Sequence, residues 1–299
     1  MFITQIFLLC LIAVGFITAK TRIVDENART TLTDLVLNVF LPGTILVSFF
    51  ETSTSELPSM GIVILVAIGT IAFSFLLSLF LYHRTGKDQK KVLFFATIIP
   101  NASFIGIPII ESIYGTGALS YTAAYLIPLR TALWSVGLII FSGGKGNFKQ
   151  IILHPCMIAT YMGIVILFTG FRPRDVLFRL ISSIGNCTTP VSMMVIGCVL
   201  GHTKSKNLLS PLTLYFSFIR LILIPLVVMG ILLIIRPIPS LITEVSVVLA
   251  GTPAAVNTVI LADKFNADKA LASKIVFIST LFSLLTIPAL VWLLGLLLY

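Results

Sequence analysis

Ten long apolar segments, separated by short stretches of charged or turn-forming residues, constrain this sequence of 299 residues more than any other feature. A bilayer core about 30 Å thick is crossed by roughly 20 apolar residues in an α-helix. We therefore predict an all-α membrane protein with ten transmembrane helices. The predicted spans, called runs 1 to 10, cover residues 2–19, 31–50, 60–82, 92–114, 117–142, 156–170, 180–200, 211–235, 243–262 and 275–298.

The composition leaves little room for a water-soluble domain. Charged residues make up 10% of the chain and apolar residues 58%, and the mean hydropathy is +1.10. Soluble proteins carry about 25% charged residues, so most of this surface must face lipid. The net charge of +9 comes from basic residues grouped between the runs, which predicts membrane-flanking charges and no nucleic-acid partner. The four cysteines lack CxxC spacing, and we expect neither a metal site nor any other cofactor.

Lysine and arginine residues are divided unevenly between the two sides of the predicted bundle. The loops after runs 1, 3, 5, 7 and 9 hold fourteen of them, and the loops after runs 2, 4, 6 and 8 hold four. Because cytoplasmic loops are enriched in Lys and Arg, the odd-numbered loops are predicted to be cytoplasmic. In a multi-pass protein of the cell membrane with ten spans, both termini are then expected outside.

Short motifs recur between the two halves of the chain. The matching positions are Asn38 and Pro42 against Asn186 and Pro190, and Gly106 and Pro108 against Gly251 and Pro253. We interpret residues 1–142 and 156–299 as two five-helix repeats joined by a short cytoplasmic linker at 143–155. Since five is odd, the repeats would be inverted, as in many secondary transporters. The alternative is that short Pro and Gly motifs coincide by chance.

Runs 4 and 9 are predicted to be interrupted near the middle of the membrane. Run 4 contains Pro100 and Asn101 about nine residues from its start, and run 9 contains Pro253 near its centre. Proline opens the helical hydrogen-bond ladder, and opened backbone persists in a bilayer only where protein buries it or where it lines a wet cavity. The alternative is that these prolines only kink their helices.

The two interrupted helices would run in opposite directions, so that the N-termini of their second halves face a common point. Free backbone N–H groups and the helix dipole make such a point favourable for an anion. Polar side chains that could add neutral donors there are Asn101, Ser103, Thr252 and Asn257.

Few charged residues lie within the runs. Arg130 in run 5 and Arg220 in run 8 lie deep, where an arginine costs on the order of 2.5 to 3.5 kcal/mol, so each should face the protein interior or water. Either could bind a carboxylate of the substrate, or bond to neighbouring carbonyls as a structural clasp. Glu111 near the outer end of run 4 and Asp34 near the inner start of run 2 are candidates for ion coupling, with interfacial charges as the alternative.

Runs 4, 8, 9 and 10 resemble one known family. The segment IIPNASFIGIPIIESIYG, 98–115, resembles the Leu-Pro-Asn … Gly-Ile-Pro segment of plant auxin efflux carriers. The segment GTPAAVNTVILADKFNADKALASKIVFISTLFSLLTIPAL, 251–290, is similar to the C-terminal end of bacterial members of the auxin efflux carrier family. FIRLILIP, which contains Arg220 and Pro225, is similar to the eighth helix of that family.

The resemblance implies a ten-helix transporter with two inverted repeats and a crossing of broken helices 4 and 9. It places Pro100 and Pro253 at the crossing and Asn101 beside the substrate, whereas the Gly-x-Pro match favours Pro108 as the partner of Pro253. Both prolines remain candidates. Members of the family move carboxylates: indole acetic acid in plants, and malate or malonate in some bacteria. This chain lacks the long central loop of many plant members, which weakens the case for auxin.

We therefore expect a secondary carrier, and not an enzyme, for a small organic anion such as malate, malonate or an auxin-like weak acid. By the resemblance, helices 1, 2, 6 and 7 would form one unit and the other six the substrate-bearing unit, with alternating access between them. The alternative is a sodium- or proton-coupled transporter of the bile-acid type. An intramembrane enzyme would need paired Asp residues, a Ser/His pair or a metal motif, which the runs lack. The expected partners are the anion, membrane lipid and, as a homodimer, a second copy of the chain.

Overall fold

A computed structural model shows a helical protein whose described part contains no β-strand beyond one isolated bridge. The described residues are 2–51, 57–142, 153, 155–171, 173–202, 208–235 and 238–298. The predicted linker at 143–155 lies almost entirely outside them. All ten predicted runs are helical over most of their described residues, but several are divided into shorter helices.

The first five runs contain eight α-helices. These are α1 (Phe2–Lys20), α2 (Glu26–Leu35), α3 (Leu41–Glu51), α4 (Leu57–Leu81), α5 (Lys87–Ile98), α6 (Ile107–Tyr114), α7 (Leu119–Trp134) and α8 (Val136–Ser142). A π-helical turn, Val36–Phe40, joins α2 to α3, and a second, Ala102–Gly106, leads into α6. A 3₁₀ turn, Thr116–Ala118, precedes α7.

The last five runs also contain eight α-helices. These are α9 (Pro155–Thr169), α10 (Asp175–Asn186), α11 (Thr188–His202), α12 (Pro211–Phe218), α13 (Ile224–Ile234), α14 (Ser240–Ala250), α15 (Asn257–Lys264) and α16 (Lys269–Leu298). A third π-helical turn, Ile219–Leu223, joins α12 to α13. Single wide turns of this kind often occur at functional sites in α-helices.

Five helical segments of the described chain are long and apolar enough to cross a membrane on their own. They are Glu26–Val47, Pro58–Leu81, Asp175–Val199, Pro211–Ile234 and Lys269–Leu298. Large apolar side chains cover the outside of the molecule; for example, Phe80, Ile234 and Leu285 are each at least 74% exposed. A surface of this composition is unfavourable in water and favourable in hydrocarbon.

The helices pack in two groups. In the first group, which contains runs 1, 2, 6 and 7, α1 packs against α11, and α3 packs against both α9 and α10. In the second, which contains the other runs, α4 packs against α7, α13 against α14, and α16 against α12 and α15. Contacts between the groups are fewer and include those of α3 with α7. This is the grouping that the resemblance implied.

Small residues permit close helix contacts within the first group. The Thr44 and Thr188 hydroxyls lie 2.7 Å apart, and the Thr44 hydroxyl donates to the carbonyl of Gly185 over 3.0 Å. A Cβ atom added to Gly197 would overlap the carbonyl oxygen of Ile12. Small residues and interhelical hydroxyl bonds are common where helices associate inside a membrane.

Candidate functional site

The two predicted helix breaks are present, and they pair with each other. After α5 ends at Ile98, Pro100 forms an antiparallel bridge with Ala254, which lies in the gap between α14 and α15. The Asn101 N–H donates to the carbonyl of Pro253 over 2.7 Å, and the Ala255 N–H donates to the carbonyl of Ile99 over 3.4 Å. Backbone groups that the helices leave unpaired are thus satisfied by the other break, as a low-dielectric environment requires.

Of the two prolines in run 4, Pro100 lies at the break. Pro108 lies in the first turn of α6, directly after the π-helical turn Ala102–Gly106, and the backbone stays helical on both sides of it. The Gly-x-Pro match therefore does not give the pairing of the breaks. Gly106 instead packs against the second break, since a Cβ added there would meet the side chains of Leu249 and Thr252.

A small pocket lies where the two half-helices begin again. It has a volume of about 40 Å³, enough for only a few water-sized groups. It brings together four predicted site residues from the two breaks, namely Pro100, Asn101, Ser103 and Asn257. Asn101 is 3% exposed, and its side-chain Nδ2 has no hydrogen-bond partner in the described part of the chain. An unpaired buried donor is costly, so this amide N–H group is available to donate to a ligand oxygen.

A larger cavity of about 650 Å³ lies between the two groups of helices. Its lining includes the predicted residues Pro108, Glu111 and Arg130. Polar lining residues that were not predicted from the sequence are Thr44, Ser112, Thr122, Ser182, Asn186 and Thr189. Asn186 and Pro190 enter the sequence argument only as repeat markers, although their Asn-x-x-x-Pro spacing beside a helix interruption is a signal that indicates a place in the site.

Arg130 connects the two spaces. It is 6% exposed, and its side chain lines both the 650 Å³ cavity and the small pocket at the breaks. No hydrogen bond joins its guanidinium to any other residue that the structure describes. A buried guanidinium with unused donors is a strong binding group for a carboxylate, because charge-assisted and bidentate hydrogen bonds can form.

Arg220 has different surroundings. It is fully buried, and its guanidinium donates to three backbone carbonyls: Nε to Thr252, Nη1 to Thr97 and Nη2 to Ala250. Thr97 lies in the last turn of α5, and Ala250 is the last residue of α14. The geometry therefore favours the interpretation of Arg220 as a structural clasp. Arg220 lines neither the large cavity nor the small pocket.

The remaining candidates are placed as follows. Thr252 lies on the Arg220 side of the break, where its hydroxyl donates to the carbonyl of Leu249 over 2.8 Å. Pro253 contributes its carbonyl to the pairing of the breaks. Asp34 is exposed and lines neither space. Within the described ranges, no group of three or more His, Cys, Asp or Glu side chains could hold a metal ion.

Comparison with known proteins decides the family. The family model described as "Membrane transport protein" matches residues 1–151 and 144–292, which together span nearly the whole chain. The chain belongs to this family, that of the auxin efflux carriers. The family assignment made from the sequence of runs 4, 8, 9 and 10 is thereby confirmed, and the protein is a multi-pass membrane transporter.

Relatives of this auxin efflux carrier family member have low sequence identity to it but are similar in length. An "Uncharacterized transporter" of Methanothermobacter thermautotrophicus is 25% identical over 95% of both chains. One of Methanocaldococcus jannaschii is 25% identical over 96% of both. A protein of Rhizobium meliloti named "Putative malonate transporter" is 24% identical over 95% of this chain and 92% of its own.

Proposed function

We propose that this protein is a secondary carrier for a small carboxylate anion and works by alternating access. The observation that carries the proposal is the position of Arg130 between the large cavity and the helix breaks. A carboxylate that enters the cavity would meet the Arg130 guanidinium first. It would then lie beside the N-termini of two half-helices and the unpaired Asn101 amide, all of which favour negative charge.

The cavity volume of about 650 Å³ lies within the usual range of about 300 to 1,000 Å³ for small-molecule sites. The small pocket is much tighter, so in this conformation a substrate would occupy the cavity and direct one carboxylate toward Arg130. Glu111 lines the cavity and would repel the anion's other charge, which favours entry with that charge directed elsewhere.

The proposed architecture is ten spans in two inverted repeats, 1–142 and 156–299, with the termini outside. The antiparallel pairing of the breaks supports inversion, and the two matches to the family model support duplication. The first group of helices would be the fixed unit and the second the moving unit. Contacts between the groups are fewer than those within them, as a sliding interface requires. A homodimer through the fixed unit is part of the same proposal.

Malonate and malate are the first substrates to test, with indole acetic acid as the auxin-like weak acid. A relative that is 24% identical is named "Putative malonate transporter". The single deep guanidinium of Arg130 could bind any of these carboxylates. No catalytic function is included in the proposal. Export of one negative charge from an inside-negative cell would gain about 2.3 kcal/mol per 100 mV, so flux should respond to voltage.

The experiment is uptake of each labelled anion into proteoliposomes that contain the purified protein, with the membrane potential set by potassium and valinomycin. We expect saturable uptake that unlabelled malonate inhibits and that changes with the imposed voltage. Malonamide, the neutral analogue with the same carbon skeleton, should not inhibit. The absence of saturable flux for all three anions, or equal inhibition by malonamide, would contradict the proposal.

A further inference from the structure

The three carbonyls around Arg220 come from the C-terminal ends of both interrupted helices. Thr97 belongs to α5, Ala250 ends α14, and Thr252 lies in the break that follows α14. All three bonds come from one guanidinium, which is 0% exposed. This single side chain therefore ties the end of α5 to the end of α14.

Helix C-termini carry partial negative charge and carbonyls without helical partners. In secondary transporters with discontinuous helices, such ends and the unwound carbonyls beside them commonly coordinate the coupling cation. Here those carbonyls bind a cation that belongs to the chain itself. The hydrogen bonds of the Arg220 guanidinium within the described part of the chain all go to backbone carbonyls, and none goes to a carboxylate.

We infer that Arg220 takes the place of a coupling cation: it is a positioning residue that holds the two breaks together permanently, so that transport needs no sodium ion. This inference rests on the proposed carrier function. The two deep arginines then have different roles. Arg130 has free donors and faces the substrate space, whereas Arg220 uses its donors on the backbone and acts on the anion only through the shape of the breaks.

The neighbouring polar groups fit this role. The hydroxyls of Tyr82 and Thr97 lie 2.8 Å apart, and the Thr97 hydroxyl also donates to the carbonyl of Leu93 over 2.8 Å. On the far side of the bridge, the Ala254 N–H donates to the Ser279 hydroxyl over 3.2 Å. Both ends of the crossing are thus fixed by protein groups. Loss of Arg220 would leave three carbonyl oxygens around an empty space. Carbonyl oxygens are ligands that hard cations prefer.

The first test uses the wild-type protein in proteoliposomes. Replacement of all sodium by N-methylglucamine on both sides, at constant ionic strength and voltage, should change the initial rate of carboxylate uptake by less than twofold. A loss of tenfold or more, restored by sodium, would overturn the inference, because a sodium ion would then be required in addition to Arg220.

The second test compares Arg220→Ala with Arg220→Lys, and uses Arg84→Ala as the control because Arg84 is exposed and lies outside both spaces. Arg220→Ala should lose at least tenfold in uptake rate and recover several-fold when guanidinium, methylguanidinium or sodium is added. Arg220→Lys should retain at least one tenth of the wild-type rate without an added cation, because the ammonium keeps the charge in place. Arg84→Ala should neither lose activity nor respond to cations.

Thermal stability gives a readout that does not depend on transport. The melting temperature of purified Arg220→Ala in detergent should rise by several degrees with methylguanidinium, while wild type and Arg84→Ala should not respond. A folded Arg220→Ala that no cation stabilises or reactivates would overturn the inference, and so would wild-type uptake rates for that variant in N-methylglucamine buffer without added sodium or guanidinium compounds. If Arg220→Ala does not fold, a folded but inactive Arg220→Lys would overturn the inference instead. If the wild type transports no carboxylate, the proposed function fails, and the melting experiment still tests the role of Arg220.

Discussion

The backbone N–H of Asn101 donates a hydrogen bond to the carbonyl of Pro253 over 2.7 Å, which joins the two helix breaks. The Asn101 carbonyl in turn accepts from the N–H of Ile105 over 3.0 Å, at the start of the next helical segment. With its backbone used in this way, Asn101 presents only its side chain to the pocket. The pairing therefore determines where the amide lies.

Replacement of Asn101 should weaken substrate binding. Asn101→Ala removes one donor, and we expect KM for the carboxylate to rise about tenfold, which corresponds to roughly 1.4 kcal/mol. Asn101→Asp should raise KM further, since a carboxylate there would repel the anion. The measurement is the concentration dependence of uptake. Asn38→Ala is the matched control, because Asn38 is exposed and, among the described residues, its amide bonds only to the carbonyl of Asp34. Equal KM values for wild type and Asn101→Asp would contradict this role.

Removal of the Ser279 hydroxyl should destabilise the second break. This hydroxyl accepts from the buried Ala254 N–H and donates to the carbonyl of Ile275. Ser279→Ala would leave the N–H without a partner, at a cost of about 1 to 3 kcal/mol. Differential scanning fluorimetry in detergent should show a lower melting temperature. Ser283→Ala is the control in the same helix, because the one partner of the Ser283 hydroxyl in the described part of the chain is the carbonyl of Thr280. Similar melting temperatures for the two variants would be evidence against the Ser279 contact.

The helix breaks were predictable because proline acts locally. A proline removes its own N–H and disturbs the preceding turn wherever the chain goes, so Pro100 and Pro253 indicated the breaks without tertiary information. The choice between Pro100 and Pro108 was not local. Both follow apolar residues in run 4, and only the pairing with Ala254 distinguishes them.

The roles of the two deep arginines could not be separated from the sequence either. Arg130 and Arg220 are both single cations within apolar runs, and hydropathy gives them the same signal. Their difference depends on which carbonyls lie within reach, which is a property of helix packing. Hydropathy also missed the start of α2 at Glu26: this first turn is polar, and the Asp25 carboxylate caps it by accepting from the Ala28 N–H.

Substitution of Gly197 tests the close contact between α1 and α11. In an otherwise open helix, Gly to Ala is stabilising by about 0.8 to 1 kcal/mol. At Gly197 the added Cβ would overlap the carbonyl of Ile12, so Gly197→Ala should lower the melting temperature instead. Gly69→Ala in α4 is the matched control, because no described atom outside the local helix backbone lies within 4 Å of its added Cβ. A melting temperature for Gly197→Ala at or above that of Gly69→Ala would mean that the two helices are not this close.

Arg130 variants should separate charge from hydrogen-bond geometry at the candidate site. Arg130→Gln removes the charge, and a lost charge-assisted hydrogen bond of about 1.5 to 3 kcal/mol predicts a fall in Vmax/KM of roughly 10- to 150-fold. Arg130→Lys keeps the charge but loses the planar fork, so an intermediate fall is expected. The measurement is initial uptake across a range of carboxylate concentrations at fixed voltage.

Arg84→Gln is the control for a lost surface charge and should match the wild type, because Arg84 is exposed and lines neither space. Melting temperatures must stay close to that of the wild type for the comparison to report on binding. Because Arg130 has no hydrogen bond to another described residue, its removal leaves no carbonyl unsatisfied, and Arg130→Gln should fold normally. Unchanged Vmax and KM in a folded Arg130→Gln would show that the anion is bound elsewhere, whereas a large fall in the Arg130 variants that Arg84→Gln does not share would support binding of the carboxylate at the junction of the cavity and the paired breaks.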